Sequence, residues 1–248
     1  MVSFTDSAEA EALAERAHEL MEEVVLPKER ELAGGMAASE RTIEELREAA
    51  REYNVYAPQI AEEHGGMGYD FRDVLPTFEE AGRSILGAQA MRVAAPDEGN
   101  MHLLELHGSE LQKEEYLEPL VEGEISSGFS MTEPMQGGGS DPKMLKTTAE
   151  KDGDEWVING HKWWTTNGVN ADILLVFART DQEAHPYEGS SVFIVPSEAD
   201  GVEIVRNIPH VGPELESHGH AEIKYNDVRV PEEHMLGEEG KGFKHVQE

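Results

Sequence analysis

The chain has 248 residues, a formal net charge of −31 at pH 7 and a hydrophobic content of 38%, which is enough for one large domain or two modest ones with a real core. The lack of cysteine excludes disulfides, thiol nucleophiles, iron–sulfur clusters and cysteine zinc sites. No apolar run approaches the roughly eighteen residues of a membrane span, and the N terminus does not resemble a signal peptide, so we expect a cytoplasmic protein.

The negative charge is spread along the whole chain. Residues 1–122 carry a net charge of −18 and residues 123–248 a net charge of −13. An acidic tail or a binding patch would be lopsided, and phosphates would be repelled everywhere, which argues against nonspecific nucleic-acid binding. Periodic apolar segments favour a folded protein over a disordered polyanion. We expect an acidic surface of the halophilic type, because salt screens such self-repulsion.

The first half of the chain predicts helices. Apolar residues at 3–4 spacing form one stripe over residues 10–24, and Pro27 predicts the end of that helix. A capping box at Thr42 and Glu45 predicts a second helix that runs to about Tyr53. The glycines within residues 58–70 then indicate a loop. The remaining predictions are helices at 72–90 and 97–107, and a helix from the capping box Ser109-x-x-Gln112 to about Pro119.

After Glu122 the pattern becomes that of short strands. The turn dipeptides Asp152-Gly153 and Asn159-Gly160 flank the segment 155–158, which predicts a hairpin. Further strands are predicted at 173–178, 191–195, 202–205 and 221–225, and a helix start follows Leu236. We therefore predict an α+β protein. Its parts are an N-terminal all-α helical domain at 1–122, an antiparallel β-barrel or sandwich at 123–234, and the start of a truncated C-terminal helical domain at 235–248.

Two segments carry candidate chemistry. One is the glycine-rich stretch 131–141, in which Pro134 removes a backbone donor and the glycines allow close approach of a ligand. The other is 159–168, where the neighbouring Trp163 and Trp164 would point to opposite faces of a strand. One indole could then contact an aromatic ligand, although both could equally pack within the protein. Neither segment has the glycine spacing of a dinucleotide or phosphate loop.

These segments resemble the two flavin-binding signatures of the acyl-CoA dehydrogenases. The resemblance covers residues 50–248 and rests on several motifs. They are Pro96-Asp97-x-Gly99-Asn100-Met101, His107-Gly108-Ser109-x-x-Gln112-Lys113, Leu117-x-Pro119-Leu120-x-x-Gly123-x-Ile125, Met131-Thr132-Glu133-Pro134 with Gly139-Ser140-Asp141, Asn159-Gly160-x-Lys162-x-Trp164-x-Thr166-Asn167-Gly168, Val228-x-Val230-Pro231, Leu236-Gly237 and Gly240-x-Gly242-Phe243. The chain departs from the common family loop by two extra residues within 135–139.

The resemblance implies FAD as cofactor and the oxidation of acyl-CoA thioesters to enoyl-CoA. It implies that Trp164 lies against the flavin face, that Thr165 and Thr166 border the ring edge, and that Ser140 also touches the acyl-CoA. The flavin-binding residues implied in this way are Phe129, Met131, Thr132, Gly138, Gly139, Ser140, Trp164, Thr165 and Thr166.

The catalytic carboxylate of the family lies in the C-terminal helical domain, so the resemblance assigns no catalytic residue to this chain, and it implies a structural role for Glu133. It further implies an electron-transfer flavoprotein as acceptor, and either a homo-oligomer or a separate C-terminal polypeptide as partner. Two alternatives remain open. The chain could be a non-catalytic flavin- or acyl-CoA-binding module or half of a split enzyme, or it could share the fold with acyl-CoA oxidases, flavin monooxygenases and nitroalkane oxidases.

The histidines and lysines complete the expectations. His218 and His220, with His210 and Glu222 nearby in sequence, could bind a metal, but we expect none, because chance spacings are common among 11 histidines. The segment 217–220 resembles a part of the β-domain that lies towards cofactor or substrate. His161 and His245 are interpreted as polar surface residues. A basic rim that could offset repulsion of polyanionic acyl-CoA would come from Lys143, Lys146, Lys162 and Arg206.

Overall fold

The structure, a computed structural model, describes residues 6–32, 38–134, 139–185, 187–209 and 219–248. The chain forms two compact units, Met1–Glu98 and Gly99–Glu248. The fold class is confirmed, because helices come first and a mostly antiparallel sheet follows. The predicted domain boundaries stay predictions.

Nine α-helices occur among the described residues. They are α1 (Ala8–Leu20), α2 (Leu26–Glu31), α3 (Glu40–Glu52), α4 (Phe71–Ala81), α5 (Ile85–Ala90), α6 (Asp97–His107), α7 (Glu110–Gln112), α8 (Glu118–Glu122) and α9 (Gly242–His245). The α1 helix shows why they form. The Ser7 side chain caps its first turn, and Ala10, Leu13, Ala17 and Leu20 face the core at helical spacing.

The predicted helix ends at Pro27 and Pro119 are wrong. Pro27 lies in the first turn of α2, and Pro119 lies in the first turn of α8. A π turn comes directly before each of these helices, at Met21–Val25 and at Lys113–Leu117. Proline lacks the amide hydrogen that an interior helical position needs, but the first turn does not require that donor. The wider π turn therefore lets the helical segment continue past the proline to the end of α2 or α8.

Two other predicted helix boundaries are also wrong. The N-cap of α3 is Ser39, whose side chain accepts from the Thr42 amide, so Thr42 lies inside the helix. The predicted helix at 72–90 is two helices, because the Ser84 side chain caps a new helix, α5, after α4 has ended. The prediction for α6 is confirmed, and so is the capping box at Ser109 and Gln112, in which both reciprocal hydrogen bonds are present.

Among the described residues of the second unit, eight strands form one sheet. They are β1 (Ser127–Ser130), β2 (Thr148–Asp152), β3 (Glu155–Thr166), β4 (Ile173–Arg179), β5 (Ser190–Pro196), β6 (Val202–Asn207), β7 (His220–Pro231) and β8 (Met235–Leu236). The main order is β6-β7-β3-β2-β4-β5-β8, and β1 pairs with β4. Neighbouring strands run antiparallel, except that β1 and β2 each pair in parallel with β4. All five predicted strand segments lie within these strands.

The core of the second unit lies against this sheet. Every residue of β4 is buried, whereas most of β6, at the edge, is exposed. Apolar side chains from several strands form one cluster around Trp156 and Phe193, whose ring centroids are 5.4 Å apart. The Gln112 side chain donates to the carbonyl oxygens of Glu233 and Met235 and so ties α7 to the segment that joins β7 and β8. No helix in the described ranges is long and apolar enough to cross a membrane.

The predicted turn at Asn159-Gly160 is also wrong, although the turn after Asp152 is confirmed. Asn159 and Gly160 lie inside β3, where the register with β7 shifts between Ile158 and Gly160. A Cβ atom on Gly160 would lie 2.2 Å from the Thr147 hydroxyl oxygen. The glycine is therefore needed for close packing at a bulge and not for a turn.

Gly160→Ala is expected to lower the free energy of unfolding by about 1–3 kcal/mol, because the new methyl group overpacks against Thr147. Urea denaturation measures this. Gly99→Ala is the matched control, since a Cβ there meets no atom within 4 Å and alanine favours the helix by up to about 1 kcal/mol. Equal stability of Gly160→Ala and the parent chain would contradict the packing argument.

Candidate functional site

The two signature segments lie side by side. The amide of Trp163 donates to the carbonyl oxygen of Thr132 at 3.0 Å. The Lys162 Nζ atom donates to the carbonyl oxygen of Met131 at 2.9 Å. The chain that leaves β1 is therefore hydrogen-bonded to the second half of β3, so that Met131 and Thr132 lie against the residues that immediately precede Trp164.

Trp164 has an unusual backbone conformation. Its φ is +55°, and it lies where the β3–β7 register shifts between Lys162 and Thr165. A bulky residue in the left-handed region is a genuine outlier, and such strain persists only where the surrounding structure enforces it. The bulge re-aims the side chain, which is 39% exposed. The indole is thus partly accessible from outside the sheet.

Aromatic and polar side chains surround this indole. The Trp163 and His220 rings lie 6.0 and 5.8 Å from it, centroid to centroid. The Thr166 hydroxyl lies 3.1 Å from His220 Nδ1. His220 therefore contacts Trp164 and Thr166 from β7, while Ser217 and His218 lie outside the described residues. The flat face of Trp164, beside a hydroxyl and an imidazole, can accept an aromatic ring and hydrogen-bond its edge.

Thr165, in contrast, faces the interior. It is fully buried, and its hydroxyl lies 3.2 Å from that of Ser130, which also accepts from the Tyr225 hydroxyl at 2.9 Å. Burial raises the pKa of Tyr225 well above its usual value, against the smaller opposing effect of the bond to Ser130. The Thr165 side chain is thus occupied in the core, and its carbonyl oxygen accepts from the Gly168 amide at 3.0 Å.

A buried ion pair lies directly behind the two segments. Lys162 is fully buried, and its Nζ atom lies 3.0 Å from Glu133 Oε1. Glu133 also accepts from the Lys146 amide and from the amide and hydroxyl of Thr147, at 2.6 to 2.8 Å. The Glu133 carboxylate is thus held by four donors. This agrees with the structural role that the resemblance implies.

Burial and pairing act in opposite directions on this pair. Desolvation lowers the pKa of Lys162 to about 8, although the charge of Glu133 opposes the shift. Burial alone would raise the pKa of Glu133, but the charge of Lys162 and the hydrogen bonds from Thr147 and Lys146 lower it overall. Both groups are therefore charged at neutral pH.

The other predicted site residues occupy the same region. Phe129 and Thr132 are half-buried, at and just beyond the end of β1. Met131 and Ser140 line one cleft of about 10 Å³, room for a single water molecule. Gly139 has φ +63°, and its carbonyl oxygen accepts from the Glu133 amide at 3.0 Å. Gly138 lies outside the described residues.

Two expectations about charged and polar residues are wrong. Lys162 is buried and cannot contribute to a basic rim, whereas Lys143, Lys146 and Arg206 are exposed. His245 is not a surface residue, because it is 5% exposed and its ring stacks on His107 with centroids 4.0 Å apart. In both cases the deciding contact comes from a residue distant in the sequence.

Other expectations concern metal ligands and the surface histidine. No group of three or more potential metal ligands occurs within the described part of the chain. His210 and His218 lie outside that part. His161 is partly exposed, as expected, and its Nε2 atom lies 2.8 Å from Glu222 Oε1. Glu222 is thus occupied as an ion-pair partner.

Trp164→Gly is expected to be more stable than Trp164→Ala by about 1 kcal/mol, because the left-handed conformation costs an L-residue about 1–2 kcal/mol and glycine adopts it freely. Urea denaturation of both variants measures the difference. Val157, also in β3 but without a positive φ, gives the control pair. At that position the alanine variant should be more stable than the glycine variant by about 0.5–1 kcal/mol. The same order at both positions would contradict the strain at Trp164.

Comparison with known proteins gives consistent matches. The family model "Acyl-CoA dehydrogenase, N-terminal domain" matches residues 7–124, and "Acyl-CoA dehydrogenase, middle domain" matches residues 128–228. The chain is 40% identical to Probable acyl-CoA dehydrogenase FadE2 of Mycobacterium tuberculosis over 204 residues, which are 81% of this chain and 49% of that protein. It therefore spans about half the length of this curated relative.

Solved structures agree with these matches. A Mycobacterium abscessus structure with an acyl-CoA dehydrogenase name superimposes with a TM-score of 0.86 at 32% identity, over 98% of this chain and 64% of the other. Butyryl-CoA dehydrogenase from Megasphaera elsdenii gives a TM-score of 0.77 at 30% identity, over 98% and 62% of the two chains. The likeness thus includes both units of this chain.

Proposed function

Because the chain belongs to the acyl-CoA dehydrogenase family, we propose that it forms the FAD- and acyl-CoA-facing part of an enzyme that oxidises acyl-CoA thioesters to enoyl-CoA. The observation that supports this most is the hydrogen-bonded contact between the two signature segments, beside the exposed face of Trp164. When bound, FAD would supply the acceptor for the hydride lost from the substrate. The binding and orientation of both molecules are the task of the protein.

The residues present fit a flavin. The Trp164 indole offers a flat apolar face held by a strained backbone, and the Thr166 hydroxyl beside it can hydrogen-bond a ring heteroatom. We propose that these two side chains contact the ring, with Phe129, Met131 and Thr132 along the neighbouring segment. We propose backbone contacts from Thr165 and from the bend at 138–139, and we assign the exposed Ser140 hydroxyl to both cofactor and acyl-CoA.

The proton-abstracting carboxylate is proposed to lie outside residues 1–248. A general base needs a free lone pair directed at the substrate. Two described carboxylates near the site are held in ion pairs. Glu133 is held by Lys162, Lys146 and Thr147, and Glu222 pairs with Arg206 and His161. Removal of the α-proton by this chain alone is therefore not expected.

Titration of the purified chain with FAD tests the proposal. We expect saturable quenching of tryptophan fluorescence and a changed visible spectrum of the flavin, because Trp164 would stack on the ring. The absence of any saturable change would contradict the proposed site. With FAD, acyl-CoA and an artificial electron acceptor present, we expect no enoyl-CoA. Clear enoyl-CoA formation would contradict the assignment of the base to a region outside this chain.

The occupied carboxylates also favour a second candidate function. The chain would then be a non-catalytic binding module or one half of a split enzyme. Restoration of enoyl-CoA formation by an added polypeptide that carries the missing carboxylate would support the split enzyme. Flavin binding without such restoration would support the module.

For the complete enzyme we propose a cytoplasmic location, a homo-oligomer, and an electron-transfer flavoprotein as acceptor.

The acidic surface should make the chain salt-dependent. At a net charge of −31, added potassium chloride is expected to raise the melting temperature, because it screens repulsion among exposed carboxylates. It should also tighten the binding of acyl-CoA, which is itself polyanionic. Thermal unfolding followed by circular dichroism across a salt series measures the first effect. An unchanged melting temperature between dilute and concentrated salt would argue against a halophilic-type surface.

A further inference from the structure

We propose that Lys162 and Glu133 are positioning residues that set the relative orientation of the Met131–Thr132 backbone and the Trp164 indole. The inference rests on the proposed function, because it assigns these two segments to the flavin. Neither side chain is exposed to a ligand, since Lys162 is 0% and Glu133 2% exposed. Both act through the backbone atoms and side chains that they hold.

The Lys162 ammonium joins both sides of the site. It donates to the Met131 carbonyl at 2.9 Å and to Glu133 Oε1 at 3.0 Å, while its own backbone belongs to β3. The next residue of β3, Trp163, donates its amide to the Thr132 carbonyl at 3.0 Å. One buried side chain and one amide therefore fix the segment after β1 against the residues that immediately precede Trp164.

Glu133 anchors this arrangement to a third segment. Its carboxylate accepts from the amides of Lys146 and Thr147, directly before β2. The Thr147 side chain in turn packs against Gly160, at the first register shift between β3 and β7. The bulge at Gly160, the ion pair and the bulge at Trp164 thus form a continuous series of contacts along β3.

The chemistry of the pair favours a positioning role over a purely stabilising one. Replacement of a buried ion pair by apolar or neutral groups of similar volume is often neutral or stabilising. Stability alone therefore does not require that Lys162 and Glu133 be charged. Here the ammonium of Lys162, two residues before the strained Trp164, holds the Met131 carbonyl. A neutral pair would fill the space without holding that carbonyl.

The double variant Lys162→Met/Glu133→Gln separates the two roles. It removes both charges and keeps the volumes similar. Lys244→Met/Glu248→Gln is the matched control, because Lys244 and Glu248 form an exposed pair in the same unit and receive the same substitutions. The readout without cofactor is the exciton couplet that Trp163 and Trp164 give in far-UV circular dichroism, since their rings lie 6.0 Å apart at 59°. The third tryptophan, Trp156, is a constant background in the core.

We expect the double variant to fold with a melting temperature near that of the parent, to lose or change the couplet, and to bind FAD about tenfold more weakly, an effect typical of lost supporting contacts. The control variant should change neither. An unchanged couplet with unchanged FAD affinity in a folded double variant would overturn the proposal. If the double variant fails to fold, Lys162→Met/Glu133→Met, which also leaves no unpaired buried charge, gives the same readouts and the same criterion.

Failure of the proposed function is distinguishable from failure of this inference. If the parent chain does not bind FAD, the proposed function fails. The couplet still decides whether the ion pair orients Trp164, because that measurement needs no flavin.

Discussion

Lys162→Met is expected to lower the free energy of unfolding by about 3–5 kcal/mol, because it leaves the Glu133 carboxylate buried without its counter-charge. The Met131 carbonyl also loses its donor. Urea denaturation near pH 7 measures the effect. Urea is preferred to guanidinium chloride, because a salt denaturant would screen the repulsion in this acidic chain at the same time.

Two comparisons make this result specific. Glu133→Gln added to Lys162→Met should restore most of the lost stability, since it removes the unpaired charge. Lys151→Met breaks an exposed pair and should cost less than about 1 kcal/mol. A loss of less than about 1 kcal/mol in Lys162→Met as well would mean that the Glu133 carboxylate is solvated or paired elsewhere.

Trp164→Ala is expected to weaken FAD binding by about 5- to 150-fold, because loss of a stacked aromatic ring costs about 1–3 kcal/mol. Titration with FAD, followed by flavin fluorescence, gives the dissociation constant. Trp164→Phe keeps an aromatic face, so its dissociation constant for FAD should lie between those of the parent chain and the alanine variant.

A matched control shows that the effect belongs to the site. Ile204, on the edge strand β6 of the same unit, is 39% exposed, as is Trp164. Ile204→Ala should leave the dissociation constant of FAD unchanged. Equal affinity of Trp164→Ala and the parent chain would mean that the flavin does not contact this indole, and the proposed site would be wrong.

Local signals in the sequence predicted the elements that local physics controls. The capping box at Ser109 and Gln112 and the turn after Asp152 depend on residues within a few positions of each other, and both are confirmed. The alternation along β3 also held a signal that was missed. Trp156 and Ile158 are buried at even positions, and Lys162 has the same parity, so a buried lysine could have been suspected.

The predictions failed where the surrounding structure changed the usual effect of a residue on the backbone. Pro27 and Pro119 normally end helices, but π turns before them shift the hydrogen bonding so that no donor is missed. Asn159-Gly160 normally makes a turn, but Thr147, directly before β2, packs against the glycine and keeps it within β3.

Motifs, periodicity and side-chain chemistry along the chain were enough to predict the family, the succession of helices and strands, and the chemical groups available to a flavin. That Lys162 is buried against Glu133, that Thr165 faces the core, and that Trp164 is strained and exposed became known only from the folded structure. Burial, ion pairing and backbone strain depend on contacts between residues far apart in sequence, and these contacts form only when the strands pack.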